Sequence, residues 1–491
     1  MSHQGTVNVE GATASLINED LAPTRPEART WNQWHLAALW VGMAVCVPTY
    51  TIASSMIDQG MRWWQALLVV ALGNFVVLLP MVLNGHPGTA YGIPFPILAR
   101  ASFGVLGANI PALLRALVAC GWFGIQTWIG GQAIYSVVEA ISPGALNMGQ
   151  LGPAWLGLET GRFICFILFW VTNVYFIWKG TESIKWLETA SAPFLLLSGI
   201  ALLWWATSEA GGLGKVLSTP LSTKEASFGS LFWPNLTAMV GFWATLSLNI
   251  PDFTRFARSQ RDQLMGQAMG LPTTMTLFAF IGIAVTNATV VLYGQAIWDP
   301  VALVVKFNSV TVVAVSLIAL SIATLSTNIA ANVVSPANDI SNLAPEKISY
   351  KLGGYITAGI GIVILPWKLI ESSQGYIFTW LIGYSALLGP IGGIMIADYF
   401  LLRRRELKVE DLYKRGGEYE YAGGFNVAAI VALVLAVLPN VPGFLAEAGI
   451  VAKETVPEFL RSLYTYAWFV GFLIGGGLHL VLHPVFNKKK G

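Results

Sequence analysis

Ten consecutive residues, Ala323-Thr324-Leu325-Ser326-Thr327-Asn328-Ile329-Ala330-Ala331-Asn332, place three hydroxyls and two amides inside a long apolar segment near residues 308–335. Polar side chains at membrane depth are costly unless they face a cavity, a partner or an ion. Ser326 and Thr327 offer hard oxygen ligands, which suit an alkali cation. Asn332 offers a donor and an acceptor together, which suits a small polar ring. One such helix could hold a coupling ion and a substrate side by side, as a symporter requires. The plain alternative is helix packing through small residues, which uses the same Ala, Ser and Thr types.

Two further stretches carry recognition chemistry. In Gly121-Trp122-Phe123-Gly124-Ile125-Gln126-Thr127-Trp128, Trp122 and Gln126 are four apart and share one helix face. An indole face and a carboxamide suit a flat, neutral, amide-rich ring, one stacking and the other reading its edge. In Val240-Gly241-Phe242-Trp243-Ala244-Thr245-Leu246-Ser247-Leu248-Asn249, Trp243 could cover the opposite face of the same ring. Each tryptophan has a bland reading as a packing or lipid-facing residue. A cation site needs carbonyls from a broken helix besides hydroxyls. Gly42, Val45 and Ala323 could supply them, and with Ser326 and Thr327 they give five oxygens around Na+.

The elements that must position these groups are membrane helices. The chain is 55% hydrophobic and 11% charged, with a mean hydropathy of +0.62. A soluble domain carries about 25% charge. Residues 1–30 are polar without an apolar core, so no cleavable signal is expected there. Cys46, Cys120 and Cys165 all lie in apolar segments and imply no disulfide framework. No basic cluster with interleaved aromatics suggests nucleic acid. No Gly-rich Lys motif for phosphate is present, which argues against ATP-driven transport within this chain. No Ser/His/Asp arrangement, metal-ligand cluster or pair of intramembrane carboxylates is visible, which argues against an enzyme. A channel would need a polar pore-lining stripe or a repeated filter, and none stands out. His479 and His483, at helical i, i+4 spacing, read as interfacial histidines, and Asp252, Arg255 and Arg258 as a solvated cap.

Apolar runs of about 20 residues predict twelve membrane-spanning helices near 33–57, 62–84, 107–138, 162–178, 187–207, 232–252, 266–294, 308–335, 353–366, 376–400, 424–446 and 463–484. With both termini inside, 20 Lys and Arg fall on the cytoplasmic side and 8 outside, which accounts for all 28. That bias agrees with the positive-inside rule. The first and sixth segments are each interrupted, by Gly42 and Pro48 and by Gly241 and Pro251. Interrupted helices at matching positions of two halves predict a five-plus-five inverted repeat around a midplane site. The expected organisation is a cytoplasmic arm (1–32), helices 1–5 (33–207) and helices 6–10 (208–400). A cytoplasmic loop with helices 11 and 12 (401–484) and a cytoplasmic tail (485–491) complete it. The whole is an all-α polytopic protein of a bilayer, expected to be the plasma (inner) membrane.

The chain resembles nucleobase–cation symporter family 1, the hydantoin, allantoin and cytosine permeases and the uracil and purine carriers. The resemblance runs from Asn18-Glu19-Asp20-Leu21-Ala22-Pro23 to Tyr421. It rests on Asn84-Gly85-His86-Pro87-Gly88-Thr89, on Gly121–Trp128, and on Leu248-Asn249-Ile250-Pro251-Asp252-Phe253-Thr254-Arg255-Phe256. Ser326–Asn332, Leu388-Gly389-Pro390 and Asp411-Leu412-Tyr413 extend it. It implies the leucine-transporter-type fold with two added C-terminal helices. It implies that Trp122 and Trp243 stack on a substrate ring and that Gln126 and Asn332 bond its edges. It also implies Na+ ligation by Gly42, Val45, Ala323, Ser326 and Thr327, and puts Leu381 near an extracellular gate.

Two residues depart from the hydantoin carrier, which has a glutamine at Cys46 and a glycine at Phe242. Both changes suggest a smaller or differently shaped pocket. Trp380-Leu381-Ile382-Gly383-Tyr384-Ser385-Ala386-Leu387-Leu388-Gly389-Pro390 is similar to the plant plastidic uracil/purine carriers. The expectation is therefore a symporter without a resident cofactor. It takes a nucleobase or ureide, uracil before allantoin or hydantoin, with Na+ as coupling ion and H+ as the alternative.

Overall fold

The computed structural model describes residues 6–7, 9–179, 181–218, 227–307, 309–372 and 375–487. Lys488, Lys489 and Lys490, part of the expected cytoplasmic tail, lie outside the described residues. Among the described residues the chain is helical, with only isolated β-bridges.

Span 1 is the pair Gln33–Ala44 and Val47–Asp58, bent by 59°. Spans 2, 3 and 4 are Trp63–Tyr91, Asn109–Ile141 and Thr160–Lys179. Span 5 is Thr181–Glu209, and span 6 is Phe228–Phe242 continued by Ala244–Asn249. Span 7 is Gln260–Tyr293, and span 8 is Val310–Asn332 continued by Val334–Ser341. Span 9 is Tyr350–Val363. Spans 10, 11 and 12 are Gly375–Leu402, Val427–Glu447 and Ala467–Phe486. Among the described residues, eight of these are long and apolar enough to cross a bilayer, and the bent pair makes nine. Spans 5, 6 and 9 occupy the other three expected positions.

The break in span 1 falls at Val45 and Cys46, later than Gly42. Cys46 is extended (φ −145°, ψ 161°) and Pro48 sits in the first turn of the second piece. There proline removes no helical bond, because a first-turn N–H has no intrahelical partner. The Cys46 N–H donates to the Ala44 carbonyl at 3.0 Å. A continuous helix would send it to Gly42, so the Gly42 carbonyl is left outside the ladder. In span 6 the break is Trp243 itself (φ −102°, ψ 9°), and Pro251 opens a further short turn. Span 8 runs to Ser341, past the expected end at 335. It is interrupted only at Val333, and Pro336 falls in the first turn of the second piece.

Span 10 is wound unusually. Gly375–Leu381 and Ala397–Leu402 are π-helical turns, wider than an α-turn and frequent at functional sites. The amino-terminal arm is docked on the bundle. Leu16 and Leu21 are buried, and Asn18 Nδ2 donates to Ser341 Oγ at 2.8 Å. The Tyr413 hydroxyl donates to the Leu21 carbonyl at 2.9 Å. Arg100 Nη1 donates to the Leu16 and Leu412 carbonyls at 2.8 and 2.9 Å. The arm, span 8 and the loop after span 10 are thus one hydrogen-bonded unit.

Candidate substrate and cation sites

Trp122 projects from the middle of span 3 into a box of rings. Phe242 stands edge-on to it, with centroids 5.2 Å apart. Tyr376, Trp380 and Tyr384 of span 10 approach at 6.2, 5.9 and 6.4 Å. All four contacts are T-shaped, a favoured aromatic geometry. Phe242 also touches Trp243 at 5.0 Å, and Trp243 touches Trp40 of span 1 at 5.2 Å. Phe242 therefore lies against both tryptophans expected to stack on a ring. Among the described residues, no guanidinium, ammonium or imidazole makes ring contact with Trp122 or Trp243.

Backbone features place these rings. The wide turn Gly375–Leu381 carries Tyr376 and Trp380 toward span 3. Gly121 gives Trp380 room, since a Cβ there would lie 2.9 Å from Trp380 Cζ2. Gly241 lets the break of span 6 press on span 10. A Cβ there would lie 2.9 Å from the Leu381 carbonyl and also strike the Ser385 hydroxyl. Leu381, the expected gate residue, is fully buried.

The box holds unmatched hydrogen-bonding capacity. Gln126 Oε1, Trp40 Nε1, Trp243 Nε1, Trp380 Nε1 and the Tyr376 hydroxyl are buried without a protein partner. Each unmet group costs about 1–3 kcal/mol, so a cluster of them marks a ligand site. Asn332 sits differently. Its Nδ2 donates to Asn328 Oδ1 at 3.0 Å, which leaves Asn332 Oδ1 to accept from a ligand. Asn328 is a hub: its Nδ2 lies 3.2 Å from the Phe123 carbonyl, 3.1 Å from Thr127 Oγ1 and 3.1 Å from Asn173 Oδ1. Cys46 lies at the break of span 1, its sulfur 3.3 Å from Thr49 Oγ1.

The five expected cation ligands come from spans 1 and 8. Val45 and Ala323 are fully buried in one apolar cluster. Thr327 Oγ1 donates to the Ala323 carbonyl at 3.2 Å, which keeps its lone pairs for another partner. Ser326 is buried, and no hydrogen bond from its side chain occurs among the described residues. With the Gly42 carbonyl outside the helix ladder, the donor set is carbonyl and hydroxyl oxygen. That chemistry fits a hard alkali cation.

Three expectations from sequence need correction. Asp252 and Arg255 are buried, not a solvated cap. Asp252 Oδ1 accepts from the Phe95 N–H at 2.9 Å, and Arg255 Nε donates to Thr24 Oγ1 at 2.7 Å. Only Arg258 is exposed. His479 is fully buried rather than interfacial, with Nε2 3.1 Å from Asp398 Oδ1. Arg403 Nε holds the other oxygen of that carboxylate at 2.6 Å. Asp398, His479 and His483 thus form one ligand-bearing group, although no such cluster was visible in the sequence. Beyond these, Arg115 and Asp339, which the sequence did not single out, are a fully buried ion pair at 2.9 Å, joining span 3 to the second piece of span 8.

Comparison with known proteins agrees with this architecture. A family profile described as permease for cytosine/purines, uracil, thiamine, allantoin matches residues 23–471. The purine-uracil permease NCS1 of Arabidopsis thaliana is 46% identical over 480 residues, covering 97% of this chain and 79% of the relative. The allantoin permease of Bacillus subtilis is 43% identical over 478 residues, covering 96% and 94%. Among solved structures, Mhp1 in an inward-facing conformation superposes with a TM-score of 0.78 at 26% identity, covering 96% of this chain and 95% of that one. Mhp1 in a closed conformation with bromovinylhydantoin bound gives the same score and identity.

Proposed function

Because the chain belongs to the family of permeases for cytosine/purines, uracil, thiamine and allantoin, and is a transporter rather than an enzyme, we propose that it is a secondary active symporter importing a nucleobase or related ureide, uracil by preference, together with Na+. The observation that carries this reading is the box of edge-on rings around Trp122 with unmatched polar atoms at Gln126, Trp243, Trp380 and Tyr376. A flat, neutral, carbonyl-bearing ring satisfies both features. It stacks between Trp122 and Trp243, and Gln126 and Asn332 bond its edges. Phe242 and Cys46 narrow the box, which favours an unsubstituted ring. The purine-uracil relative at 46% identity favours uracil. The allantoin permease at 43% identity keeps allantoin as the second reading, supported by the surplus of indole donors, which suits a carbonyl-rich ureide.

The cation bridges the Gly42 and Val45 carbonyls of span 1 and the Ala323, Ser326 and Thr327 oxygens of span 8. Its occupancy favours the conformation that binds the ring, because an ion shifts an equilibrium only by binding one state better. The halves 33–207 and 208–400 then rock to release both inward. The charge bias of the loops supports cytoplasmic termini in the plasma (inner) membrane.

The test is uptake of labelled uracil into proteoliposomes under an inward Na+ gradient, with allantoin, hydantoin, cytosine and adenine as competitors. The expected result is saturable uptake that collapses without Na+, with a half-saturation raised about tenfold or more by Gln126→Ala. Uptake of allantoin alone moves the substrate to the second reading. Uptake indifferent to Na+ overturns the coupling ion, and a pH gradient is then the driving force to apply.

A further inference from the structure

Span 3 repeats its recognition pattern. Trp122-Phe123-Gly124-Ile125-Gln126 is followed by Trp128-Ile129-Gly130-Gly131-Gln132. Each copy sets an indole and a carboxamide four residues apart, on one face of the helix. The copies are six residues apart, so the second lies about 9 Å further along the axis and is turned by about 120°. The first copy enters the central box. The second lines a separate cavity of about 250 Å³, walled by Trp128, Gln132, Arg162, Trp298, Trp367 and Tyr376. Neither Trp122 nor Gln126 reaches it. Tyr376 is the partition between the two spaces, since it lines the cavity and its ring stands perpendicular to Trp122.

The chemistry of this cavity is defined by its neighbours. Trp128 and Trp367 are 5.6 Å apart, centroid to centroid, and inclined at 46°, which gives a broad π wall. Arg162 Nη1 donates to Gln132 Oε1 at 2.6 Å. A guanidinium has only donors, so this contact fixes which way the amide points. Gln132 Nε2 is turned elsewhere, and it is buried without a partner. Gln132 lines the cavity, and its unmatched N–H requires a carbonyl. Its three charged side chains, Arg162, Asp299 and Glu371, each have a partner. Arg162 pairs with Glu159 at 3.0 Å, Lys368 with Glu371 at 3.4 Å, and Asp299 Oδ1 accepts from the Val301 N–H at 3.0 Å. A neutral ligand suits such a wall better than an ion.

We propose that this cavity is a second, outer station for the transported ring, where the ring lies on the Trp128–Trp367 wall and a ring carbonyl accepts from Gln132 Nε2. The station rests on the reading of the central box as a nucleobase or ureide site. It holds a ring beside Tyr376 while the box is closed, so two rings bind one protein at saturation.

The experiment is equilibrium binding of radiolabelled uracil and allantoin to the full-length protein in lipid nanodiscs at saturating Na+. The variants are Trp122→Ala, Trp128→Phe, Gln132→Leu and Gln132→Glu. Gln132→Glu keeps an acceptor for Arg162 and so guards against misfolding, yet it abolishes the donor. The expected result is two equivalents in the parent. Trp122→Ala retains one weak equivalent, and both Gln132 variants retain the tight one while weakening the other at least tenfold. One equivalent in the parent, lost in Trp122→Ala and untouched by Gln132→Leu, overturns the station and leaves the function standing. No binding of either ring to a parent that melts cooperatively overturns the function and the station together.

Discussion

Phe242 stands edge-on to Trp122, with ring centroids 5.2 Å apart and planes at 74°. It touches Trp243 on its other side, so it is a side wall of the box shared by both indoles. Phe242→Ala is expected to enlarge the box and favour bulkier rings. One methylene in an apolar pocket is worth about 1–3 kcal/mol of discrimination. The kcat/KM ratio of a 5-substituted over an unsubstituted ring should rise at least about tenfold in competitive uptake. An unchanged ratio would remove Phe242 from the selectivity wall. The same variant should lose about 3–5 kcal/mol of stability, read from its denaturation.

The hydroxyls of span 8 separate ion from ring. Ser326→Ala with Thr327→Ala removes two of the five proposed cation oxygens and touches no aromatic wall. The Na+ concentration for half-maximal uptake should rise about tenfold, and ring affinity at low Na+ should fall by a matching factor, because coupling is reciprocal. Ring binding measured at saturating Na+ should stay near the parent value. Unchanged Na+ dependence would disprove the ligand assignment.

Asn328 ties span 8 to spans 3 and 4 and holds the Asn332 amide. Asn328→Ala leaves Asn173 Oδ1 and Asn332 Nδ2 short of a partner. Each unmet buried group costs about 1–3 kcal/mol, so a clear fall in thermal stability is expected, with weakened ring binding. Full stability in that variant would show that the network reforms around the gap.

Much of this was legible in the chain. Long apolar runs fixed the span positions, and Pro48 and Gly241 marked helices that do break, within a few residues of the actual bends. Trp122 could be named from its spacing to Gln126, and Phe242 only through the family resemblance. Tyr376, Trp380 and Tyr384 could not. An aromatic residue in an apolar run looks the same whether it faces lipid or a site, and the wide turn that brings Tyr376 and Trp380 inward has no composition signal. Asn328 was read as one polar residue among several, because its partners lie 155 to 205 residues away. Arg255 looked solvated because its acceptors, the Asp20 and Ala22 carbonyls, belong to an arm whose docking is a tertiary event.

A pH dependence follows from Asp299, in the connection between spans 7 and 8. Burial raises its carboxyl above the ordinary range, against the opposing effect of the Val301 and Ala302 N–H groups and of Arg162. The folded state therefore holds this proton more tightly than the unfolded chain, and the group costs stability as the pH rises through the carboxylate range. Asp299→Asn keeps a side-chain cap on Val301 and removes the charge. Its melting temperature should match the parent at acid pH and exceed it progressively toward neutrality. A difference that does not vary with pH would assign the effect to packing.

That no cationic side chain among the described residues lies against the rings of Trp122 or Trp243 has an electrical consequence. In the proposed cycle a neutral ring carries no charge through the membrane field. Each turnover with one Na+ then moves one elementary charge, on which the membrane potential acts with about 2.3 kcal/mol per 100 mV. Transport becomes a current, and a negative interior concentrates an uncharged solute through the cation that travels with it.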